Sequence, residues 1–308
     1  MTRPIFRDPE RQRRYDELGY EVLPPIPGDV VERVTRSYES SLFEDHYQSG
    51  HVISLYNGAL SDRRRVHELL VSETFPFLEA HLIDREPYLS TFLVKEPGSL
   101  PIAPHQDWSH TDETEHDSVM CWIPLVDTDR HNGALGFVNG SHRFFDYLRA
   151  FPYQTAPTPD FLYCQELVPY LTIVPMRAGE VVVFNNRTIH GSMRNMSDEL
   201  RPAFTFSLHP KDRPLVFHYL KPNRRLDTLL RYEVTSDFYL ANPNPRTAEI
   251  YHRGDLISDL PAEELPYELP AISWEAFRKK LEAAGNLPDP WLAAQAKKTA
   301  EAGPSGQA

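Results

Sequence analysis

The chain has 308 residues, of which 41% are apolar, so it is long enough to bury a full hydrophobic core. Its 32 basic and 44 acidic residues give a net charge of −12, and no long basic stretch stands out, which argues against a nucleic-acid partner. Two cysteines, Cys121 and Cys164, are too few for a disulfide framework, and no signal core or membrane-length apolar run is present, so we expect a soluble cytoplasmic protein without a membrane partner.

The first elements are predicted to be helices with one strand between them. The charged residues 8–18 predict a short amphipathic helix that Gly19 ends, and residues 20–23 follow as a strand. Asp29 is expected to cap a second helix that runs to about Phe43, because apolar residues recur after it at helical spacing.

A third helix is predicted over residues 73–82, with Pro76 in its first turn. The preceding run Arg63-Arg64-Arg65 is more typical of a solvated helix face than of an anion-binding site. We therefore assign no function to the three arginines.

Between residues 88 and 208 the pattern changes to short strands separated by Pro, Gly, Asn and Asp. The predicted strands are residues 89–94, 119–125, 134–138, the Val-rich run from 181, and 203–208. Such a series predicts a mainly β fold with flanking helices, either a sandwich or a jelly roll. The Tyr- and Pro-rich residues 143–175 are too long for a hairpin and are expected to pass over the mouth of the barrel.

Beyond Pro210, helices are predicted over residues 226–232 and 273–284, the second capped by Ser273 and ended by Gly285. The last residues are rich in Ala, Lys, Gly and Ser and are expected to be disordered. We therefore expect one domain over residues 1–290, with a jelly-roll core at about 88–208, and a disordered tail over 291–308.

Two distant segments carry the candidate metal ligands. His105 and Asp107 lie in the run Pro-His-Gln-Asp-Trp, and His190 lies in an Ile-His-Gly-Ser run that follows the Val-rich strand. Two imidazoles and one carboxylate are the ligand set of non-haem Fe(II) oxygenases, in which they leave one face of the metal open. The sequence therefore predicts a metal site formed by these three residues.

A second His-x-Asp, His110-Thr111-Asp112, and the pair His116-Asp117 compete with the first one. We prefer His105 because Pro97-Gly98 turns the strand 89–94 back, so that His105 arrives on a neighbouring strand. The residues 110–117 are dense in Asp, Glu and Thr, which predicts a solvated loop. A bare His-x-Asp more often binds no metal, so the prediction depends on the combination.

The combined pattern resembles the phytanoyl-CoA dioxygenase family over roughly residues 8–208. The resemblance is carried by the following residues: His105-Gln106-Asp107, Asn132-Gly133-Ala134-Leu135, Asn139-Gly140-Ser141-His142, Gly179-Glu180, His190-Gly191-Ser192 and Arg201. It implies a cupin-like double-stranded β-helix oxygenase that uses Fe(II), 2-oxoglutarate and O2. His105, Asp107 and His190 are then the catalytic iron ligands.

The resemblance also implies a cosubstrate site. Arg201 lies 201 − 190 = 11 residues after the distal histidine, where this family places the arginine that binds the far carboxylate of 2-oxoglutarate. Ser192 is expected to add a hydroxyl to the same anion, and Trp122 is a candidate contact, although a tryptophan in a strand is more often a core residue. Because Asp107 keeps the carboxylate that related halogenating enzymes lack, hydroxylation is favoured over halogenation.

The leading hypothesis is an oxygenase that hydroxylates an unactivated C–H bond of a small organic molecule, such as a natural-product intermediate or an amino-acid-like compound. Three alternatives stay open: an acyl-CoA hydroxylase of the same family, a non-catalytic jelly-roll module that binds a metal or ligand, and a metal-dependent isomerase on the same scaffold. The sequence specifies neither the substrate nor the oligomeric state.

Overall fold

A computed structural model of the protein describes residues 3–39, 50–151, 158–220, 227–242 and 260–301. In this part, the helices are α1 (Pro9–Leu18), α2 (Gly28–Glu39), α3 (Leu60–Glu79), α4 (Pro159–Leu162), α5 (Cys164–Leu167), α6 (Ser236–Ala241), α7 (Trp274–Ala283) and α8 (Pro290–Glu301). The strands are β1 (Tyr20–Leu23), β2 (His51–Ile53), β3 (Arg85–Lys95), β4 (Ile102–His105), β5 (Val119–Pro124), β6 (Leu135–Phe137), β7 (Thr172–Ile173), β8 (Val181–Asn185), β9 (His190–Ser192), β10 (Arg201–Pro210), β11 (Leu215–Tyr219), β12 (Thr228–Val234) and β13 (Ala262–Pro266). None of the described helices has the length and apolarity needed to cross a membrane.

Two antiparallel sheets form the barrel. The larger sheet has the strand order β1-β8-β5-β10-β3-β2, and the smaller sheet has the order β4-β9-β6-β7. Consecutive strands from β3 to β10 fall into pairs, each of which is split between the two sheets. This winding is the double-stranded β-helix form of a jelly roll, so the predicted fold class is confirmed.

Alternate residues of the larger sheet face two different cores. Phe204 and Phe206 of β10 pack in a cluster that includes buried residues of α2 and α3. Ala203, which precedes Phe204 and so faces the opposite side of the strand, packs with Trp122 inside the barrel. Because side chains alternate along a strand, Arg201 lies on the same face as Ala203 and is directed into the barrel.

The N-terminal elements follow the prediction closely. The Asp8 carboxylate accepts a hydrogen bond from the Glu10 N–H at the start of α1, and Gly19 ends the helix with φ 86°, where its N–H donates to the Tyr15 carbonyl. The second helix begins at Gly28, so Asp29 lies in its first turn rather than at the cap. Its predicted extension to Phe43 lies outside the described residues.

Helix α3 begins at Leu60, well before the predicted start at residue 73, so the prediction that Pro76 lies in a first turn was wrong. Pro76 is near the end of the helix. Its missing N–H therefore interrupts the hydrogen-bond ladder only in the last turn. Arg64 and Arg65 are exposed, as expected for a solvated helix face, and Arg64 pairs with Asp237 at 3.1 Å.

Residues 226–232 were predicted as a helix, and this was wrong. Residues 228–234 form β12, the central strand of a third sheet with the order β11-β12-β13. Leu229, Leu230 and Tyr232 are buried there. Pairing with β11 on one side and with the more distant β13 on the other overrides the local pattern.

The C-terminal region agrees with the prediction at α7 and differs after it. The Ser273 hydroxyl accepts from the Ala276 N–H at the start of α7. The tail predicted to be disordered from residue 291 instead begins with α8, whose Leu292 is 1% exposed and whose first turn is capped by Asp289. Residues 302–308 lie outside the described part, and a single domain over residues 1–290 stays a prediction.

Residues 143–175 form more than an excursion over the barrel mouth. The described parts include α4, α5 and β7, and β7 is an edge strand of the smaller sheet. At the start of α4, the Asp160 carboxylate accepts a hydrogen bond from the Gln106 N–H at 3.1 Å. The segment therefore supports the residues next to His105, and residues 152–157 are outside the description.

Candidate active site

Strand pairing brings the two candidate histidines together. His105 is the last residue of β4, and His190 is the first residue of β9; the two residues are partners in the β4–β9 register. Asp107 follows two residues after β4, where its N–H donates to the Asn186 carbonyl at 2.9 Å. The ring centroids of the histidines are 4.4 Å apart.

The donor atoms of the three side chains converge on one point. The His105 Nε2 lies 3.8 Å from Asp107 Oδ1, and the His190 Nε2 lies 3.7 Å from Asp107 Oδ2. All the candidate ligand atoms lie within 4.8 Å of one another. The Nδ1 atoms face the Ala103 carbonyl at 2.8 Å and the Thr188 carbonyl at 2.9 Å. A carbonyl can only accept, so each Nδ1 carries the proton and each Nε2 keeps its lone pair for a ligand.

The protonation states also suit a metal. Burial, together with the neighbouring His105, lowers the pKa of His190 to about 4, so its imidazole is neutral at pH 7. The Asp107 Oδ2 is buried and has no hydrogen-bond partner among the described residues. A neutral imidazole and an unsatisfied carboxylate oxygen are the forms that bind a metal ion. The side chain of His105 is 40% exposed, so the site is accessible from one side.

Gly191 permits the close approach of β4 to β9. A Cβ added at this residue would lie 2.6 Å from the Ile102 carbonyl oxygen and 3.2 Å from the Pro104 nitrogen. We expect Gly191→Ala to destabilise the protein by about 1–3 kcal/mol through overpacking and to weaken metal binding, because the two strands that carry the histidines must separate. Thermal unfolding and Co(II) titration measure the two effects.

Gly28→Ala is the matched control, since a Cβ at the start of α2 has nothing within 4 Å. This variant should keep wild-type stability and metal affinity. Metal affinity in Gly191→Ala equal to that of the control would contradict the role assigned to the glycine.

The predicted cosubstrate residues Arg201, Trp122 and Ser192 are all buried. Arg201 is 3% exposed, and its Nε and Nη1 atoms have no hydrogen-bond partner among the described residues. Its Cζ lies 5.2 Å from the centroid of the Trp122 ring, so the indole supports the guanidinium through a cation–π contact. Burial lowers the pKa of Arg201 to about 9, which leaves it cationic at pH 7. The buried Ser192 Oγ also lacks a partner within the described residues.

Lys95 is a buried lysine that the sequence did not predict. It is the register partner of Arg201 and is 1% exposed, and burial together with Arg201 lowers its pKa well below the usual value. Its Nζ donates to the Leu100 carbonyl at 3.0 Å and to the Met193 carbonyl. The side chain thus joins the turn before β4 to the end of β9. A lysine at the end of an apolar strand is usually exposed, so no local pattern indicated this role.

The loop over residues 110–117 was predicted to be solvated, and this was wrong. Glu113 is 2% exposed and pairs with Arg149 at 2.6 Å and with Arg187 at 3.0 Å. His116 and Asp117 are buried as well. The Glu113 carboxylate is stabilised inside the protein by arginines that are distant in sequence, whereas Glu115 is exposed as predicted.

The second His-x-Asp does not join the metal candidates. The His110 Nδ1 lies 2.8 Å from the Tyr239 hydroxyl, and Asp112 accepts from the Thr114 hydroxyl at 2.6 Å. Two further histidines, His209 and His218, contact Glu86 at 3.1 Å and the Ser109 carbonyl at 2.8 Å. In the described part of the chain, His105, Asp107 and His190 form the one cluster with metal-ligand geometry.

Comparison with known proteins gives a family match. The phytanoyl-CoA dioxygenase family model matches residues 31–203. A zebrafish (Danio rerio) phytanoyl-CoA dioxygenase domain-containing protein 1 is 30% identical over 169 residues, covering 52% of this chain and 55% of that protein. Arabidopsis thaliana phytanoyl-CoA dioxygenase is 30% identical over 144 residues, covering 45% and 49%. The chain thus spans about half the length of the curated relatives it matches.

Solved structures with a similar fold have lower sequence identity to this chain. The carbocyclase SnoK from nogalamycin biosynthesis is 24% identical with a TM-score of 0.48, covering 68% of this chain and 86% of that one. HygX from Streptomyces hygroscopicus, in a structure with nickel, 2-oxoglutarate and hygromycin B bound, is 17% identical with a TM-score of 0.48, covering 67% and 88%. The family assignment rests on the sequence model.

Proposed function

Because the chain belongs to the phytanoyl-CoA dioxygenase family, we propose that it is an Fe(II)- and 2-oxoglutarate-dependent oxygenase that hydroxylates a C–H bond of a small organic molecule. The observation that carries the proposal is the convergence of His105, Asp107 and His190 within 4.8 Å, with both Nδ1 protons held by backbone carbonyls. Two imidazoles and one carboxylate suit Fe(II) and leave coordination positions for a cosubstrate and O2.

The side chains divide the work between metal and cosubstrate. His105, Asp107 and His190 hold the iron, which with 2-oxoglutarate and O2 supplies the oxidising chemistry and yields succinate and CO2. Arg201 binds the far carboxylate of 2-oxoglutarate through two parallel charge-assisted hydrogen bonds, and the Ser192 hydroxyl adds a third donor. Trp122 holds the guanidinium in place and excludes water from it.

We favour a natural-product intermediate or an amino-acid-like substrate over an acyl-CoA. Arg224, Arg225 and Arg231 are the basic residues that could bind a CoA phosphate. Of these, Arg231 is described by the structure, and it already lies 3.5 Å from Glu263 and 4.0 Å from Asp112. Arg224 and Arg225 lie outside the described residues. Next to Asp107, the half-buried Trp108 is held by stacking on the buried Phe151 at 3.9 Å, which makes its indole a candidate apolar contact for a compact organic molecule.

The proposal is tested by incubating anaerobically purified protein with Fe(II) and 2-oxoglutarate, adding O2, and measuring succinate with and without candidate substrates. We expect iron-dependent succinate formation that a true substrate accelerates. No succinate from protein that binds iron would contradict the proposal and favour a binding module or an enzyme of different chemistry. The Nε and Nη1 atoms of Arg201, which lack a hydrogen-bond partner among the described residues, speak against a binding module, which has no need of a cosubstrate clamp.

A further inference from the structure

We infer that Glu113 is a positioning residue for the candidate metal centre, because its buried carboxylate joins the segment that carries Asp107 to the turn that carries His190. The inference rests on the proposed function and assigns a role to a residue that does not reach the metal. Local structure shows why Asp107 needs such support. Residues 106–110 are in neither a helix nor a strand, so the strand pairing that positions His105 ends before Asp107.

One oxygen of the carboxylate binds Arg149. The Arg149 Nη2 donates to Glu113 Oε1 at 2.6 Å, and its Nε donates to the Asp107 carbonyl at 2.5 Å. Its Nη1 donates to the Tyr147 carbonyl at 3.2 Å. Each nitrogen of this guanidinium therefore donates a hydrogen bond, and the bond from Nε positions the backbone carbonyl of Asp107. The Arg149 side chain is 4% exposed, so these bonds are formed away from water.

The other carboxylate oxygen binds Arg187, in the turn between β8 and β9. The Arg187 Nε donates to Glu113 Oε2 at 3.0 Å, and its Nη2 donates to the Glu113 carbonyl at 3.1 Å. The Arg187 carbonyl in turn accepts from the Gln106 side-chain amide. Arg187 precedes His190 by 190 − 187 = 3 residues, so Glu113 ties this turn directly to the loop of Asp107.

The charge of Glu113 is what holds the two arginines together. Burial on its own raises the pKa of Glu113, but the guanidinium groups of Arg149 and Arg187 outweigh it and bring the pKa to about 2, so the residue is an anion. Ser109 also donates to its Oε2 at 2.9 Å. Two other carboxylates act on Arg187: Asp146 lies 3.5 Å away but is 96% exposed, and Asp117 is buried, where burial raises its pKa and so disfavours its anion. Without Glu113, two buried cations would repel each other and the two ligand-bearing segments would separate.

The experiment compares Glu113→Gln with Glu21→Gln in the full-length protein. Glu21 is also a buried carboxylate between two arginines, Arg11 at 2.7 Å and Arg14 at 2.6 Å, but it lies on β1 away from the candidate ligands. Both variants should lower the melting temperature. We expect Glu113→Gln to raise the Kd for Co(II) by about tenfold or more and to shift the absorption bands of the bound ion, since residues behind metal ligands contribute effects of this size. Glu21→Gln should leave both unchanged.

Each result is decisive. Unchanged Co(II) affinity in Glu113→Gln, or an equal loss in Glu21→Gln, would overturn the inference, the second because general destabilisation would then explain the effect. If Glu113→Gln does not fold, Glu113→Asp replaces it: the shorter carboxylate keeps the charge but cannot reach both arginines, so weaker Co(II) binding supports the inference and wild-type binding overturns it. Failure of the wild-type protein to bind Co(II) would instead contradict the proposed function.

Discussion

His105→Ala is expected to lower succinate formation by about 10³-fold or more, because the metal loses one of its three protein ligands. The fold should survive. The His105 side chain is 40% exposed, and its one described hydrogen bond is to the Ala103 carbonyl, so the free energy of unfolding should fall by less than about 1 kcal/mol. Metal content after anaerobic loading, succinate formation and thermal unfolding measure the three quantities on the same sample.

His67→Ala is the matched control for this variant. His67 is also half-buried and makes one described side-chain hydrogen bond, to the Ser90 hydroxyl at 3.2 Å, but it lies on α3. It should keep wild-type metal content and turnover. Full activity in His105→Ala would reject the assigned metal site.

Arg201→Lys is expected to raise the KM for 2-oxoglutarate by about 10- to 100-fold, the equivalent of the roughly 1.5–3 kcal/mol that a hydrogen bond to a charged group contributes. Lysine keeps the charge but presents a single ammonium in place of the planar fork, so the second parallel hydrogen bond is lost. The KM for the primary substrate should change much less, because Arg201 is buried beside Trp122 and its assigned partner is the cosubstrate carboxylate. Steady-state kinetics with each substrate varied in turn measure the difference.

Arg85→Lys controls for the loss of a buried guanidinium. Arg85 is 3% exposed, as Arg201 is, and it also has nitrogens without a hydrogen-bond partner in the described region, but it begins β3 at the opposite end of the β3–β10 ladder. This variant should leave the KM for 2-oxoglutarate unchanged. Equal increases in both KM values for Arg201→Lys would count against the clamp.

Local sequence patterns predicted the elements whose environment is uniform. The Val-rich strand from residue 181 is buried on both faces, which its apolar character indicates directly, and the alternation of Phe204 and Phe206 with polar residues identifies a second strand. Gly19 and Ser273 end and begin helices through contacts within a few residues, so local rules suffice. The triad could be predicted because each ligand lies beside a recognisable strand.

The errors arose where distant residues decide the structure. Residues 228–234 became a strand because partners at 215–219 and 262–266 complete a sheet. Glu113 became a buried anion because Arg149 and Arg187 reach it from segments 36 and 74 residues away. A pattern within a short stretch of sequence does not include these partners. It therefore predicted a helix where β12 lies and solvent exposure for Glu113.

The central claim is that one metal ion is bound by His105, Asp107 and His190 while Arg201 binds the far carboxylate of 2-oxoglutarate. Anomalous diffraction from crystals grown anaerobically with Fe(II) and 2-oxoglutarate tests it most directly. The account predicts one anomalous peak within coordination distance of the two histidine Nε2 atoms and the Asp107 carboxylate, with the cosubstrate extending from it to Arg201. A peak at any other position, or a fully loaded crystal in which these three side chains contact no ion, would contradict it.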